Sequence, residues 1–134
     1  MDEKKKLILL IDDEPEVVWA LRDVLEMFGF RVHTALTGKQ GFREAVRHKP
    51  DLLLLDISLP DIHGYHLLRR IREREKRSGD DRPLPIVIMT GHGLPTRVLC
   101  ETEGIDGYIQ KPFGREELLE VLQDALAADD DSDC

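Results

Sequence analysis

The stretch Leu7–Asp13 (LILLIDD) joins five consecutive apolar residues to a pair of aspartates, Asp12 and Asp13. A second stretch, Leu52–Asp56 (LLLLD), has the same form and ends in Asp56. Uninterrupted apolar runs of this length are typical of strands that are buried on both faces of a parallel sheet. Because the carboxyl ends of neighbouring parallel strands face one crevice, we expect the three aspartates to lie together.

Three carboxylates at one crevice repel each other strongly. At an effective dielectric constant near 20, two like unit charges about 4 Å apart cost roughly 4 kcal/mol. A hard divalent cation that is bound by oxygen atoms relieves this repulsion. The pattern therefore predicts a metal site with a carboxylate beside it that is available for chemistry.

Strand and helix signals alternate along the whole chain. The predicted strands are 7–11, 30–35, 51–55, 86–89 and 107–110, and the predicted helices are 15–28, 37–49, 65–76, 96–103 and 115–127. This alternation predicts an α/β fold, a flavodoxin-like (βα)5 three-layer sandwich with a parallel five-stranded sheet of order 2-1-3-4-5. That order puts the less apolar second strand at an edge and the switch point between the first and third strands.

Length, charge and cysteine usage bound the class of protein. The 134 residues suit one domain, here 1–128, followed by an acidic tail, 129–134, that we expect to be disordered. A formal net charge of -8 argues against direct nucleic-acid binding, and no basic recognition element is present. The first apolar run is too short for a signal peptide or a membrane span. With Cys134 in the polar tail, the two cysteines suit a reducing compartment, so we expect a cytoplasmic protein without membrane insertion.

Polar residues also come directly after two other predicted strands. Thr90 follows Met89 at the end of the fourth, and Lys111 follows the fifth. Each residue alone is most simply a strand terminus or a solvated charge. Together with the three aspartates they form a set that can hold a divalent cation and a phosphoryl group.

Four motifs share one order along the chain: residues 11–15 (IDDEP), 55–61 (LDISLPD) with Gly64, 89–91 (MTG) and 108–113 (YIQKPF). With this order and spacing, residues 6–127 resemble a receiver (REC) domain of bacterial two-component response regulators. The resemblance implies a phosphoprotein of phosphorelay signal transduction. It implies no enzyme beyond catalysis of the protein's own phosphorylation and dephosphorylation.

The resemblance also implies roles for the residues at the crevice. Asp56 is the expected phosphoacceptor, phosphorylated by a sensor histidine kinase or a histidine phosphotransfer protein. Asp13, Asp56 and the backbone carbonyl of Ser58 are expected to bind Mg²⁺ directly, and Asp12 through a water molecule. Thr90 and Lys111 are expected to bind phosphoryl oxygens.

Other positions are implied to tune and transmit the signal. Thr90 and Tyr108 are the expected switch residues, and Ser58 and His92 occupy positions that tune the lifetime of the phosphorylated state. Gly91 is expected to leave room for the phosphoryl donor, and the peptide bond between Lys111 and Pro112 is expected to be cis. The face made by the fourth helix, fifth strand and last helix is expected to bind an unknown downstream protein, with a phosphorylation-dependent dimer as one option.

Two features depart from the pattern of the family. The spacing from Thr90 to Lys111 is one residue shorter than expected, and Pro95 lies near the start of the fourth helix, so we expect that helix to be short and the partner face to be atypical. Too few residues follow the last helix for a DNA-binding or enzymatic module. The chain is therefore expected to be either a stand-alone receiver or a piece of a larger protein.

Three alternatives compete with a phosphorylated receiver. A receiver-like interaction module would work without phosphorylation, although the complete set of five site residues argues against it. A phosphohydrolase with an aspartyl nucleophile on the first strand would need two aspartates separated by one residue, whereas Asp12 and Asp13 are adjacent. A nucleotide-binding switch would need a P-loop or a dinucleotide glycine motif, and the sequence has neither.

Overall fold

The computed structural model describes residues 5–62, 64–79, 82–91 and 104–127, and for Tyr65 the backbone alone. Five parallel strands form one sheet in the order β2-β1-β3-β4-β5. They are β1 (Leu7–Ile11), β2 (Arg31–Ala35), β3 (Leu52–Asp56), β4 (Ile86–Thr90) and β5 (Gly107–Gln110). The predicted strand order is confirmed, with the least apolar strand, β2, at one edge.

Helices cover both faces of this sheet. They are α1 (Pro15–Met27), α2 (Gly38–His48), α3 (Gly64–Ser78) and the C-terminal helix (Arg115–Ala127). One apolar cluster joins the sheet to α2 and α3, and a second joins it to α1 and the C-terminal helix. The three-layer sandwich is therefore confirmed. The predicted helix 96–103 and the predicted tail 129–134 lie outside the described residues.

Local sequence signals begin and end the helices near the sheet. Pro15 opens α1, where its missing N–H has no helical partner to lose. Gly29 follows α1 with a φ of +98°, a conformation that favours glycine. The Thr37 hydroxyl accepts a hydrogen bond of 3.1 Å from the backbone N–H of Gln40 and so caps α2.

Three predicted strands have bounds that differ from the observed ones. β2 begins at Arg31 instead of residue 30, because the N–H of Phe30 donates to the carbonyl of Leu25 and closes the turn after α1. β3 spans Leu52–Asp56 instead of 51–55, and β4 includes Thr90. In both cases the sheet ladder extends into the polar residue, since Asp56 pairs with Met89 and the Thr90 carbonyl accepts from the N–H of Lys111.

Three predicted helices also have bounds that differ from the observed ones. α2 spans Gly38–His48 instead of 37–49, because Thr37 and Lys49 are its caps. α1 ends at Met27, with Phe28 as its C-cap, instead of at residue 28. α3 spans Gly64–Ser78 instead of 65–76, and it starts where the Gly64 N–H donates to the carbonyl of Ile57.

The central strands carry the core and end in buried polar side chains. Every residue of β1, β3 and β4 is buried, as a parallel sheet covered on both faces requires. The buried polar side chains among the described residues are those of Asp12, Asp56 and Thr90. Within the described part of the chain, no helix is both long and apolar enough to cross a membrane. The buried polar side chains of the described residues thus lie at the carboxyl ends of the central strands.

Candidate functional site

Two neighbouring strands bring three aspartates together. Asp12 and Asp13 follow β1 directly, Asp56 is the last residue of β3, and β1 pairs with β3 in parallel. Each aspartate offers a carboxylate oxygen, and these oxygens lie within 4.8 Å of one another. Asp12 is fully buried and Asp56 is 6% exposed, whereas Asp13 faces solvent. The crevice expected from the two apolar runs is present.

Lys111 supplies the positive charge at this crevice. Its Nζ lies 2.8 Å from Oδ2 of Asp12 and 3.4 Å from Oδ2 of Asp56. Glu14 is a further neighbour, with Oε1 3.9 Å from the ammonium nitrogen. The end of β5 holds the backbone of Lys111, whose N–H donates a 2.7 Å hydrogen bond to the carbonyl of Thr90. The expected cis peptide bond joins Lys111 to Pro112.

Backbone N–H groups orient the two buried carboxylates. Oδ1 of Asp12 accepts a 3.0 Å hydrogen bond from the N–H of Glu14, and Oδ1 of Asp56 accepts one of 3.0 Å from the N–H of Ser58. Both remaining oxygens, the Oδ2 atoms, contact the ammonium group of Lys111. Each carboxylate therefore accepts a backbone hydrogen bond with one oxygen and contacts the ammonium group of Lys111 with the other.

Burial and charge shift the pKa values of two of these groups. Burial raises the pKa of Asp56, and the nearby Asp12 charge adds to this, although the Ser58 N–H and the Lys111 ammonium oppose it. Burial alone disfavours the Lys111 ammonium, but the hydrogen bond to Asp12 and the charges of Asp12 and Asp56 outweigh it, so the pKa of Lys111 is raised. Lys111 thus stays charged at neutral pH, and a further cation beside Asp56 would be favourable.

The donor atoms of the cluster fit a hard cation. All three side chains offer oxygen, the ligand that Mg²⁺ and Ca²⁺ prefer, and Asp13 keeps the cluster open to solvent. One ammonium group faces several carboxylates, so negative charge remains to attract a divalent ion. The set of residues therefore fits Mg²⁺.

The other predicted site residues have different surroundings. Thr90 is 2% exposed at the end of β4, next to β3, and a methyl group added to Gly91 would meet nothing within 4 Å. Ser58 is exposed in the loop after β3, and Tyr108 is 40% exposed on β5. His92 lies outside the described residues. Gly91 thus borders open space at the end of β4, and the side chain of Tyr108 is partly exposed to solvent.

Contacts that fix the loop after β3 were missed by the sequence interpretation. Asp61 accepts hydrogen bonds of 2.8 Å and 3.0 Å from the N–H groups of Gly38 and Lys39, and so caps α2 from a distant part of the chain. The N–H of Gly64 donates to the carbonyl of Ile57, and a methyl group on Gly64 would lie 2.8 Å from the Cα of Ile57. The motif LPD with Gly64 marks the loop, but no local sequence pattern signals that Asp61 reaches α2, 23 residues away.

Known sequences share this pattern over most of the chain. The profile of the response regulator receiver domain matches residues 8–123. The transcriptional regulatory protein KdpE of Mycobacterium tuberculosis is 36% identical over 121 residues, which are 90% of this chain and 50% of that protein. The master transcriptional regulator RpaA of Synechocystis is 35% identical over 124 residues, 92% of this chain and 50% of that protein. The chain thus spans about half the length of these relatives.

Solved structures share the fold as well. The receiver domain of a sensor histidine kinase from Pseudomonas aeruginosa, with a magnesium ion in its active-site cleft, is 34% identical with a TM-score of 0.79, and the match covers 92% of this chain and 99% of that one. A response regulator from Chloroflexus aurantiacus is 30% identical with a TM-score of 0.80 over the same shares of both chains. The sheet order, the profile match and these relatives agree: the chain belongs to the response regulator receiver domain family.

Proposed function

We propose that the chain accepts a phosphoryl group on Asp56, in a Mg²⁺-dependent reaction, from a sensor histidine kinase or a histidine phosphotransfer protein. The observation that carries this proposal is the geometry around Asp56. Its carboxylate is buried between two further aspartates and an ammonium group, and its Oδ2 is 3.4 Å from that ammonium. Membership of the receiver family supports the same reaction.

The proposed metal ligands are Asp13, Asp56 and the backbone carbonyl of Ser58, with Asp12 acting through a water molecule. Mg²⁺, when bound, neutralises the carboxylates and the phosphoryl oxygens during transfer. The clustering of three carboxylates within 4.8 Å supports this assignment. The magnesium ion in the cleft of the similar Pseudomonas receiver domain supports the choice of ion.

The proposed transfer uses the oxygen of Asp56 that is not tied to the backbone. The Ser58 N–H holds Oδ1, so Oδ2 attacks the phosphorus while the bond from phosphorus to the donor nitrogen breaks and its electrons stay on that nitrogen. Lys111 then exchanges its contact with Asp12 for a phosphoryl oxygen, and the Thr90 hydroxyl donates to another. Attack of water on phosphorus later releases phosphate and restores the carboxylate.

The proposed output is a change of shape at the β5 side of the molecule. Thr90 moves toward the phosphoryl group and Tyr108, now 40% exposed, turns inward. The face made by β5, the C-terminal helix and the predicted helix 96–103 then changes its affinity for a downstream protein or a second copy of the chain. Under this proposal the chain acts on no other substrate. The tuning roles of Ser58 and His92, the boundary at residue 128 and the cytoplasmic location stay predictions.

Labelling with a small phosphoryl donor tests the proposal. The protein is incubated with acetyl phosphate and Mg²⁺, and the intact mass is measured. We expect the gain of one phosphoryl group, its loss in Asp56→Asn, and its loss when a chelator removes the metal. The matched control is Asp61→Asn, which removes an exposed carboxylate from the same loop and should still be labelled.

Two outcomes contradict the proposal. Labelling that persists in Asp56→Asn rejects Asp56 as the acceptor. A folded wild-type protein that takes up no phosphoryl group, with acetyl phosphate or with phosphorylated histidine kinases, favours the interaction module that works without phosphorylation.

A further inference from the structure

A second cluster of metal-binding side chains lies between β2 and α2. It consists of His33 in β2 with Glu44 and His48 in α2. Each of the three offers one ligand atom, and these atoms lie within 4.8 Å of one another. We propose that this cluster is a site for a borderline-soft divalent transition-metal ion, of which Zn²⁺ is the representative.

The backbone places the three side chains side by side. Glu44 and His48 are four residues apart on α2, so they lie on one face of the helix, with His48 Nε2 3.1 Å from Glu44 Oε1. His33 is the middle residue of the edge strand β2, and its ring stacks on that of His48 with centroids 4.1 Å apart and planes inclined by 20°. The elements that carry the cluster are regular, so they hold the ligands close together without a long loop.

The donor set differs from that of the aspartate crevice. Two imidazole nitrogens and one carboxylate oxygen form a set that Zn²⁺ favours, whereas Mg²⁺ favours oxygen alone. Three protein ligands leave a fourth tetrahedral position for water. The side chains of His48 and Glu44 are 34% and 20% exposed, so an ion can reach them from solvent. The two clusters should therefore select different ions.

Metal binding requires a small rearrangement of the two stacked rings. One ring must turn so that its nitrogen lone pair points at the ion, because the rings of His33 and His48 lie nearly parallel. The neutral imidazole is the form that binds metal.

Zinc titration of matched variants tests the proposal. The chain contains cysteines at positions 100 and 134, so the background protein carries Cys100→Ser and Cys134→Ser. Calorimetry in excess Mg²⁺ should show one Zn²⁺ per chain. His33→Asn and His48→Asn should each weaken the affinity at least about tenfold, because the loss of a ligand costs no less than the loss of a group that orients a ligand. The matched control is His66→Asn, an exposed histidine on α3, which should bind Zn²⁺ as the background does.

Further readouts separate a lost ligand from a lost fold. Co²⁺ replaces Zn²⁺ in a parallel titration, and its visible absorption should show nitrogen ligation in the background protein and lose intensity in both variants. Glu44→Gln keeps a helix-forming residue and should also weaken binding, while acetyl phosphate labelling of Asp56 should be unchanged. Equal Zn²⁺ affinity in the background, His33→Asn and His48→Asn overturns the proposal. Loss of binding in Asp13→Asn alone also overturns it, because zinc would then occupy the aspartate crevice.

Discussion

At the scale of single residues, Lys111 balances the charge of the crevice. Its ammonium lies 2.8 Å from Asp12, whose side chain is fully buried, and 3.4 Å from Asp56. A buried carboxylate that loses its partner keeps the cost of desolvation without the compensating attraction. Lys111 therefore stabilises the folded crevice, and under the proposed reaction it turns to a phosphoryl oxygen once a bound metal ion compensates the carboxylates.

Replacing Lys111 by methionine should destabilise the metal-free protein. Lys111→Met keeps a long side chain but removes the charge, and we expect a loss of about 2–3 kcal/mol in the free energy of unfolding. Urea denaturation with a chelator measures this loss, and excess Mg²⁺ should reduce it because a cation returns to the crevice. Lys39→Met, at an exposed position on α2, should change the stability by less than about 0.5 kcal/mol. Equal stability of the two variants would contradict the role given to Lys111.

At the scale of elements, Arg72 ties α3 to the amino ends of β4 and β5. Its guanidinium donates to the carbonyls of Leu84 and Gly104 at 2.9 Å and 2.6 Å, and to Glu75 at 3.0 Å. Glu75 in turn accepts a 2.6 Å hydrogen bond from the N–H of Leu84. This network lies at the amino ends of the strands, because Leu84 precedes β4 and Gly104 precedes β5. The aspartate crevice lies at the opposite, carboxyl ends. It is therefore a stabilising element that takes no part in the proposed chemistry.

Removal of the guanidinium should lower stability without changing phosphorylation. Arg72→Met leaves the carbonyls of Leu84 and Gly104 without this donor, and we expect a loss of about 2–3 kcal/mol in the free energy of unfolding. Arg74→Met, at an exposed position of the same helix, serves as the control and should change stability by less than about 0.5 kcal/mol. Both variants should still be labelled by acetyl phosphate, as measured by intact mass under conditions where they are folded.

Asp106, which lies next to this network, should make the stability of the folded protein depend on pH. Its Oδ2 accepts a 2.8 Å hydrogen bond from the N–H of Ile86, yet burial raises its pKa above the ordinary value of 3.8. The folded protein therefore binds this proton more tightly than the unfolded chain does. The resulting stabilisation is complete below 3.8 and is lost as the pH rises through the raised pKa.

Comparison with Asp106→Asn isolates this contribution. Asparagine keeps a carbonyl oxygen for the N–H of Ile86 but does not titrate. As the pH falls from 7 toward about 4, the stability of the wild type should therefore improve relative to the variant. Urea denaturation across this range measures the difference, and a difference that stays constant would show that the pKa of Asp106 is not raised.

The sequence predicted the elements better than their ends. Buried parallel strands are continuous apolar runs, so Leu7–Ile11 was found with both bounds correct. The ends of β3 and β4 were wrong because hydrogen bonding to a neighbouring strand, and not polarity, decides whether Asp56 and Thr90 continue the ladder. The cap of Asp61 on α2, 23 residues from Gly38, could not be predicted, because it depends on how the loop after β3 packs. A local sequence pattern does not show which residues far apart in the chain come into contact.

The two candidate sites also differ in how far the sequence alone predicts them. The aspartate crevice was predictable, because residues at the carboxyl ends of adjacent parallel strands must meet. The cluster of His33, Glu44 and His48 depends on which face of α2 turns toward the edge strand, and no motif signals it. For the same reason, the contact between Lys111 and Asp12 became visible only in the structure.

At the scale of the whole molecule, the two ends of the parallel strands differ in how well their charges are balanced. At the amino ends of β4 and β5, the positive charge of Arg72 is balanced by Glu75 and Asp106. At the carboxyl ends of β1 and β3, three carboxylates repel each other. The stability of the molecule should therefore respond to any cation that reaches the carboxyl edge. A bound ion stabilises the folded state according to its concentration relative to the dissociation constant.

Magnesium should raise the melting temperature of the wild type through the aspartate crevice. At a concentration about 100 times the dissociation constant, the expected gain is about 2.7 kcal/mol. Asp13→Asn should lose most of this gain, and because it relieves repulsion it should be at least as stable as the wild type in a chelator. Calorimetric melting in a Mg²⁺ series measures both effects. A gain of the same size in Asp13→Asn would place the responding ion elsewhere.

Chemical identification of the modified residue tests the central claim most directly. The protein is treated with acetyl phosphate and Mg²⁺, reduced with borohydride, digested and sequenced by mass spectrometry. Borohydride converts an aspartyl phosphate to homoserine and leaves a free aspartate unchanged. We predict homoserine at position 56, dependent on both Mg²⁺ and the donor. Homoserine at position 12 or 13, or an unmodified Asp56 in a protein that has gained a phosphoryl group, would contradict the account.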